Sequence, residues 1–238
     1  MILRKYKTLL FDVDDTLLDF NLAENAALTR LFEQENRTVT KAMLARYKEV
    51  NEGLWRAFER GEVSKSELHN TRFSKFFKEY GIDVDGAHFE AGFQKYLQEA
   101  HYYVEGAYDV IAQLAESYDL YVVSNGKTTT QNKRLLDANL AKYFKGIFIS
   151  EETGYQKPMM EFFDYVFTRI DGFEKNKTLI IGDSLTADIT GGLRAGIDTC
   201  WFNIHGIDNI SDIQPHYEIK KLHELHMIVE NNKILANI

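Results

Sequence analysis

Short apolar runs and long apolar stripes divide this chain into two kinds of segment. Leu9, Leu10 and Phe11 form a continuous apolar run of strand length that stops abruptly at Asp12, Val13, Asp14, Asp15 and Thr16. From about 20 to 103 the spacing turns helical. Leu28, Leu31 and Phe32 share one face, and Leu44, Tyr47, Val50, Leu54, Trp55 and Phe58 a second; Phe73, Phe76, Phe77 and Tyr80 share a third, and Phe89, Phe93, Tyr96 and Leu97 a fourth. The polar stretch 36–40, Gly61 and the stretch 81–85 separate these four amphipathic helices.

Beyond them strand and helix alternate. A helix over 106–117 precedes a second strand, Leu120 to Val123, which ends in Ser124, Asn125 and Gly126. Leu135, Leu136 and Leu140 predict a helix over 127–140, and Ile147 to Ile149 a third strand. A loop with Glu151, Glu152, Gly154 and Lys157 leads to Pro158, a residue suited to the first turn of a helix. Leu179 to Ile181 is a fourth strand, broken by Gly182, Asp183 and Ser184; a helix then starts near Thr186 with Asp188 in its first turn. A fifth strand over 199–203, a sixth over 217–219 and a helix over 221–231 complete the pattern. It predicts an α/β protein with a doubly wound, mostly parallel sheet. The core comprises 1–17 and 104–238. The helical run at 18–103 leaves from a strand end, so it is expected to form a separate cap over whatever lies there.

Composition narrows the function. The 238 residues are 45% hydrophobic and 27% charged, as in an ordinary globular protein. A net charge of −8 with no basic run excludes a nucleic-acid polymer as partner. Cys200 is the single cysteine, so no internal disulfide forms and a reducing, cytoplasmic setting is expected. No apolar run approaches the roughly 18 residues of a membrane span, and the first aspartate arrives before any run of signal-peptide length.

Strand ends carry the candidate chemistry. Asp12 and Asp14, then Ser124 and Asn125, then Lys157, then Asp183 with Asp188 all fall where ligands bind in a parallel sheet. Clustered carboxylates resist joint ionisation unless a cation lies among them. Mg²⁺ takes hard oxygen ligands and usually keeps a substrate phosphate oxygen. Asp12 and Asp183 offer carboxylate oxygens to it, and Asp14 its backbone carbonyl. Ser124, Asn125 and Lys157 offer donors to a phosphoryl group, as does the start of the helix near Lys127. Attack of Asp12 on phosphorus then gives an aspartyl phosphate, with Asp14 as general acid and base.

DVDDT at 12–16, Ser124 after an apolar strand, Lys157 before Pro158, and GDSLTAD at 182–188 resemble the four motifs of the haloacid dehalogenase-like hydrolase superfamily. The resemblance spans the whole chain and includes an α-helical cap inserted after the first motif of a Rossmann-like core. It implies Asp12 as nucleophile, Asp14 as acid and base, Ser124 and Lys157 as phosphate ligands, and Asp183 as a metal ligand. Asp188 is implied one step further out, orienting Lys157 or a metal-bound water. Dehalogenases of the superfamily lack the second aspartate, so Asp14 implies phosphatase chemistry. FDVDDTLLDF at 11–20, NEGLWRAFERGEVSKSEL at 51–68, ISEETGYQKP at 149–158 and the stretch 182–203 are similar to the pyrimidine 5'-nucleotidase branch. That implies a small phosphomonoester substrate, a pyrimidine nucleoside monophosphate.

A pyrimidine ring needs an aromatic or apolar slot, which makes Asn51, Trp55 and Arg72 candidate substrate contacts. Helical spacing equally suits Trp55 to the bundle interior. A phosphosugar or phosphoglycolate phosphatase, or a phosphomutase, fits the same core. A receiver-type phosphoacceptor domain also combines acids, a hydroxyl and a lysine, but the helical insertion and the late GDSLTAD count against it.

Overall fold

A computed structural model describes residues 5–230. Its sheet has six strands: β1 (Thr8–Phe11), β2 (Asp119–Ser124), β3 (Gly146–Ile149), β4 (Thr178–Gly182), β5 (Asp198–Phe202) and β6 (Tyr217–Ile219). They lie in the order β3-β2-β1-β4-β5-β6 and every neighbouring pair is parallel. The apolar runs follow from burial on both faces. Leu9, Phe11, Leu120, Val122, Leu179 and Ile181 enter one core cluster, while Leu10, Tyr121, Val123 and Ile180 enter the other, as the two-residue period of a strand requires. β1 is flanked by β2 and β4, so the winding reverses beside it, and ligand sites of parallel sheets lie at such a reversal.

Asn21–Ala100 forms a compact unit of its own, and the segments on either side form the other. The inserted unit holds most of α1 (Phe20–Gln34), with α2 (Lys41–Glu59), α3 (Lys65–Lys78) and α4 (Gly86–Leu97). The separators expected from sequence work as helix stops and starts. Asn36, Gly61 and Gly81 adopt positive φ, and the N–H of the next residue bonds back to Phe32, Ala57 and Phe77 respectively. Thr40, Ser64 and Asp85 then accept backbone N–H bonds as N-caps. Inside, Tyr47, Phe73, Phe76, Phe77, Phe89 and Phe93 meet ring to ring. The two connections to the sheet run side by side: Asp19 N–H donates to Tyr102 O at 2.9 Å and Val104 N–H to Leu17 O at 3.0 Å.

The helices of the sheet unit are α5 (Ala107–Ala115), α6 (Thr128–Asp137), the short α7 (Ser150–Thr153), α8 (Met160–Phe167), α9 (Thr190–Ala195) and α10 (Leu225–Glu230). Four depart from expectation. α6 stops at Asp137 instead of 140 because Asn139 takes a positive φ and Leu140 N–H bonds back to Leu135 O. Pro158 lies two residues ahead of α8, in a turn closed by Met159 N–H on Gln156 O, and its peptide bond is cis. Asp188 lies on a π-turn, Leu185–Ile189, and α9 begins only at Thr190. The terminal helix starts as a 3₁₀ turn at Leu222–Glu224, and Asn231 lies outside the described residues. Among the described residues no helix is long and apolar enough to cross a membrane.

Candidate active site

Asp12 follows β1, and its N–H donates to Ile181 O at 2.9 Å, carrying the β1–β4 pairing one residue past the strand. Asp183 follows β4 and therefore stands beside it. Trp201 of β5 fixes that residue's backbone by donating from Nε1 to Asp183 O at 2.8 Å. Asp188 joins them because position 182 is glycine; a Cβ there would lie 2.2 Å from Asp188 Cγ. One carboxylate oxygen from each of Asp12, Asp183 and Asp188 falls within 4.8 Å of the others. This is the acidic group among the described residues that is compact enough to hold a cation.

Lys157 is 1% exposed and bridges the group. Its Nζ donates to Asp12 Oδ1 at 2.6 Å, Asp188 Oδ1 at 2.6 Å and Val123 O at 2.7 Å, which commits all three ammonium hydrogens. Its observed partners are thus carboxylates and a carbonyl. Asp188 also accepts Ser184 N–H on Oδ2 at 3.1 Å. Asn125, expected to bind phosphate, uses its side chain otherwise: Nδ2 donates to Lys157 O at 3.0 Å and Oδ1 accepts Lys157 N–H at 2.9 Å. Both ends of the amide hold the lysine's backbone. The start of α6, also expected to face phosphate, has Thr128 N–H donating to Glu151 Oε2 at 2.8 Å.

Two residues missed in the sequence complete the site. Arg134 and Gln131, both on α6 and fully buried, donate to the two carboxylate oxygens of Asp14, Gln131 at 2.7 Å. Gln131 also donates to Ser124 Oγ at 2.9 Å. They share a helix face with buried Leu135, and polar residues on the apolar side of an amphipathic helix were the available signal. Asp15, the third acid of the knuckle, serves the backbone: its Oδ1 accepts Phe20 N–H at 2.9 Å at the start of α1.

Electrostatics explain why a cation fits. Burial pushes the Asp12 carboxyl up, Lys157 pulls it back, Asp188 and Asp14 push again, and the result is about 7. Burial, then Asp12 and Asp188, hold Asp183 well above the usual carboxylate range. Burial opposes charge on Lys157, yet Asp12 and Asp188 outweigh it and raise its ammonium above the ordinary value. Three carboxylates face one ammonium, so full ionisation leaves a deficit of two positive charges, which Mg²⁺ supplies. Asp14 does not enter this deficit because Arg134 neutralises it.

The candidates in the inserted unit have partners within that unit. Arg72 Nε donates to Glu90 Oε2 at 2.7 Å and Nη1 to Asn51 Oδ1 at 3.1 Å, while Asn51 Nδ2 donates to Glu24 Oε1 at 2.8 Å. Arg72 and Asn51 are buried in this network. Trp55 is half-buried, edge-on to Phe58 and His69.

Residues 6–196 match the haloacid dehalogenase-like hydrolase family. The chain belongs to that family. This haloacid dehalogenase-like hydrolase is 54% identical to YfnB of Bacillus subtilis over 227 residues, or 95% of this chain and 97% of YfnB. A crystal structure of YfnB bound to magnesium superposes with a TM-score of 0.91, covering 94% of this chain and 99% of that one. The hydrolase is also 44% identical to the pyrimidine 5'-nucleotidase PynA of Streptococcus pneumoniae over 228 residues, 95% of this chain and 96% of PynA. Identity to the pyrimidine 5'-nucleotidase YjjG of Escherichia coli is 28% over 225 residues, 94% of this chain and 98% of YjjG.

Proposed function

We propose that this hydrolase is a Mg²⁺-dependent phosphomonoesterase that works through an aspartyl phosphate on Asp12 and takes pyrimidine nucleoside 5'-monophosphates. The observation that carries the reaction type is the meeting of Asp12, Asp183 and Asp188 around Lys157, with one divalent ion's worth of charge wanting. Asp12 and Asp183 are the residues to hold Mg²⁺, with Asp188 beside them. The ion, when bound, neutralises charge on the phosphoryl oxygens. Lys157 grips Asp12 by Oδ1 and so orients the carboxylate. An Asp12 oxygen forms the new bond to phosphorus, the ester P–O bond breaks, and the leaving oxygen keeps the electron pair and takes a proton from Asp14. Water then attacks phosphorus, gives a proton to Asp14, and the Asp12–phosphorus bond breaks. The pyrimidine assignment is supported by the names of PynA and YjjG.

A panel of phosphomonoesters tests both parts. Uridine and thymidine monophosphates are expected to exceed purine monophosphates and sugar phosphates in kcat/KM, with no turnover after chelation of Mg²⁺. Equal rates across the panel defeat the pyrimidine assignment and leave the reaction type standing; preference for a sugar phosphate redirects the assignment to that class.

The acid and base balance of the site adds a second expectation. Burial, with Asp188 and Asp14 nearby, raises the Asp12 carboxyl to about 7, so below that pH a cation has a proton to displace. Apparent Mg²⁺ affinity therefore rises between about pH 6 and 7, by up to roughly tenfold per pH unit for each proton released. Titrating the Mg²⁺-induced rise in melting temperature at several pH values measures this. An affinity flat across that interval contradicts it.

A further inference from the structure

Gln131 stands between Ser124 and Asp14, and its amide can face only one way. Arg134 has donors and no acceptor, and its Nη1 donates to Gln131 Oε1 at 3.0 Å. The amide nitrogen is thereby turned to Asp14 Oδ2 at 2.7 Å and Ser124 Oγ at 2.9 Å, one hydrogen for each. Ser124 Oγ also accepts Gly126 N–H at 3.1 Å. With both lone pairs engaged, the hydroxyl hydrogen of Ser124 must be donated elsewhere. Glycine at 126 is what lets Gln131 come so close, since a Cβ there would lie 2.6 Å from its side chain.

Packing alone does not account for this pair. A buried arginine is costly without a charged partner, and Arg134, 0% exposed, reaches outward to Asp14, whose side chain is 32% exposed. The neutral amide beside it is equally buried and serves two groups of the site at once.

We propose that Gln131 and Arg134 are positioning residues: Arg134 sets the sense of the Gln131 amide, and together they hold Asp14 for proton transfer to the leaving group and the Ser124 hydroxyl for donation to the phosphoryl group. This rests on the phosphomonoesterase reading above. It makes two separable demands. Losing the grip on Asp14 harms the phosphoryl-transfer step, read by kcat/KM, for esters whose leaving oxygen needs a proton. It spares that step for those, such as p-nitrophenyl phosphate, whose leaving group departs as a stable anion; the later attack of water is common to both. Releasing the Ser124 hydroxyl weakens phosphate binding for every ester.

The test compares uridine 5'-monophosphate with p-nitrophenyl phosphate for wild type, Gln131→Leu, Arg134→Met and Arg134→Lys, with Mg²⁺ saturating. Arg134→Met and Gln131→Leu are expected to lower kcat/KM for the nucleotide by about 10- to 100-fold and for the aryl ester by several-fold less. Gln131→Leu is expected in addition to raise KM for both esters, and the inhibition constant of inorganic phosphate with it. Arg134→Lys keeps the charge without the planar fork and restores part of the nucleotide rate. The ratio of the two rates does not depend on the fraction of active protein, so it remains informative where a variant folds poorly. Equal losses of kcat/KM on both esters, or a gain in nucleotide kcat/KM, overturn the assignment. No wild-type turnover of either ester overturns the phosphomonoesterase reading and this assignment together, whereas wild-type turnover with an unchanged ratio in the variants overturns this assignment alone.

Discussion

Replacing Asp12 with asparagine is expected to lower phosphomonoester turnover by on the order of 10⁴-fold or more while the fold persists. The substitution is nearly isosteric, and the backbone N–H of residue 12 keeps its bond to Ile181 O. What changes is the chemistry. An amide oxygen is a poor nucleophile and the proposed covalent intermediate cannot form. Lys157 keeps Asp188 and the Val123 carbonyl as partners, so its charge is not stranded. Removing a carboxyl that burial already disfavours as an anion also offsets part of the lost ion pair. The melting temperature without metal is therefore expected to stay within a few degrees of wild type, while the increase caused by Mg²⁺ shrinks. Steady-state kinetics beside thermal unfolding separate the two effects. Appreciable turnover in the purified variant removes Asp12 from the mechanism.

Glu90→Gln is expected to cost about 3–5 kcal/mol at neutral pH, the usual penalty for stranding one member of a buried ion pair. Arg72 is 1% exposed and Glu90 3%, and the guanidinium meets Glu90 at 2.6 and 2.7 Å. Burial opposes the charge on Glu90, but Arg72 and His69 outweigh it and hold the carboxyl down at about 2, against 4.5 for an ordinary glutamate. A carboxyl lowered in the folded state contributes stability that is fully present above 4.5 and is lost as pH falls through 2. The difference between wild type and Glu90→Gln should accordingly shrink as pH falls below about 4.5 and vanish towards pH 2. Urea unfolding at several pH values measures it. A second substitution, Arg72→Met in the Glu90→Gln background, removes the stranded charge and is expected to recover part of the loss. A neutral-pH difference below about 1 kcal/mol means that the pair contributes little.

The sheet was legible because its apolar runs are local signals. Burial on both faces makes a parallel strand continuous in sequence, and Leu9 to Phe11, Leu120 to Val123 and Leu179 to Ile181 all have that form. The helix separators were legible for a similar reason, since Asn36, Gly61 and Gly81 act within one turn of their own position. Partnerships across the fold were not. Gln131 lies 117 residues from Asp14, and only the β1–β2 pairing with the crossover into α6 brings them together. Asn125 follows the end of β2 as expected and Lys157 comes after β3 and the short α7, but which atoms they satisfy depends on a loop conformation that composition does not encode. Arg134, the cation that pairs with Asp14, likewise reads locally as one more polar helix position.

The paired connections at Leu17–Asp19 and Tyr102–Val104 also bear on how such a protein can diversify. Because the outgoing and returning chains are hydrogen-bonded neighbours, the whole insertion closes the same short gap that a tight turn would close. Its length and sequence can drift, or be exchanged wholesale for another module, without changing the spacing demanded of β1 and α5. The insertion can thus change in one stretch of gene while the carboxylates at the strand ends stay under separate selection.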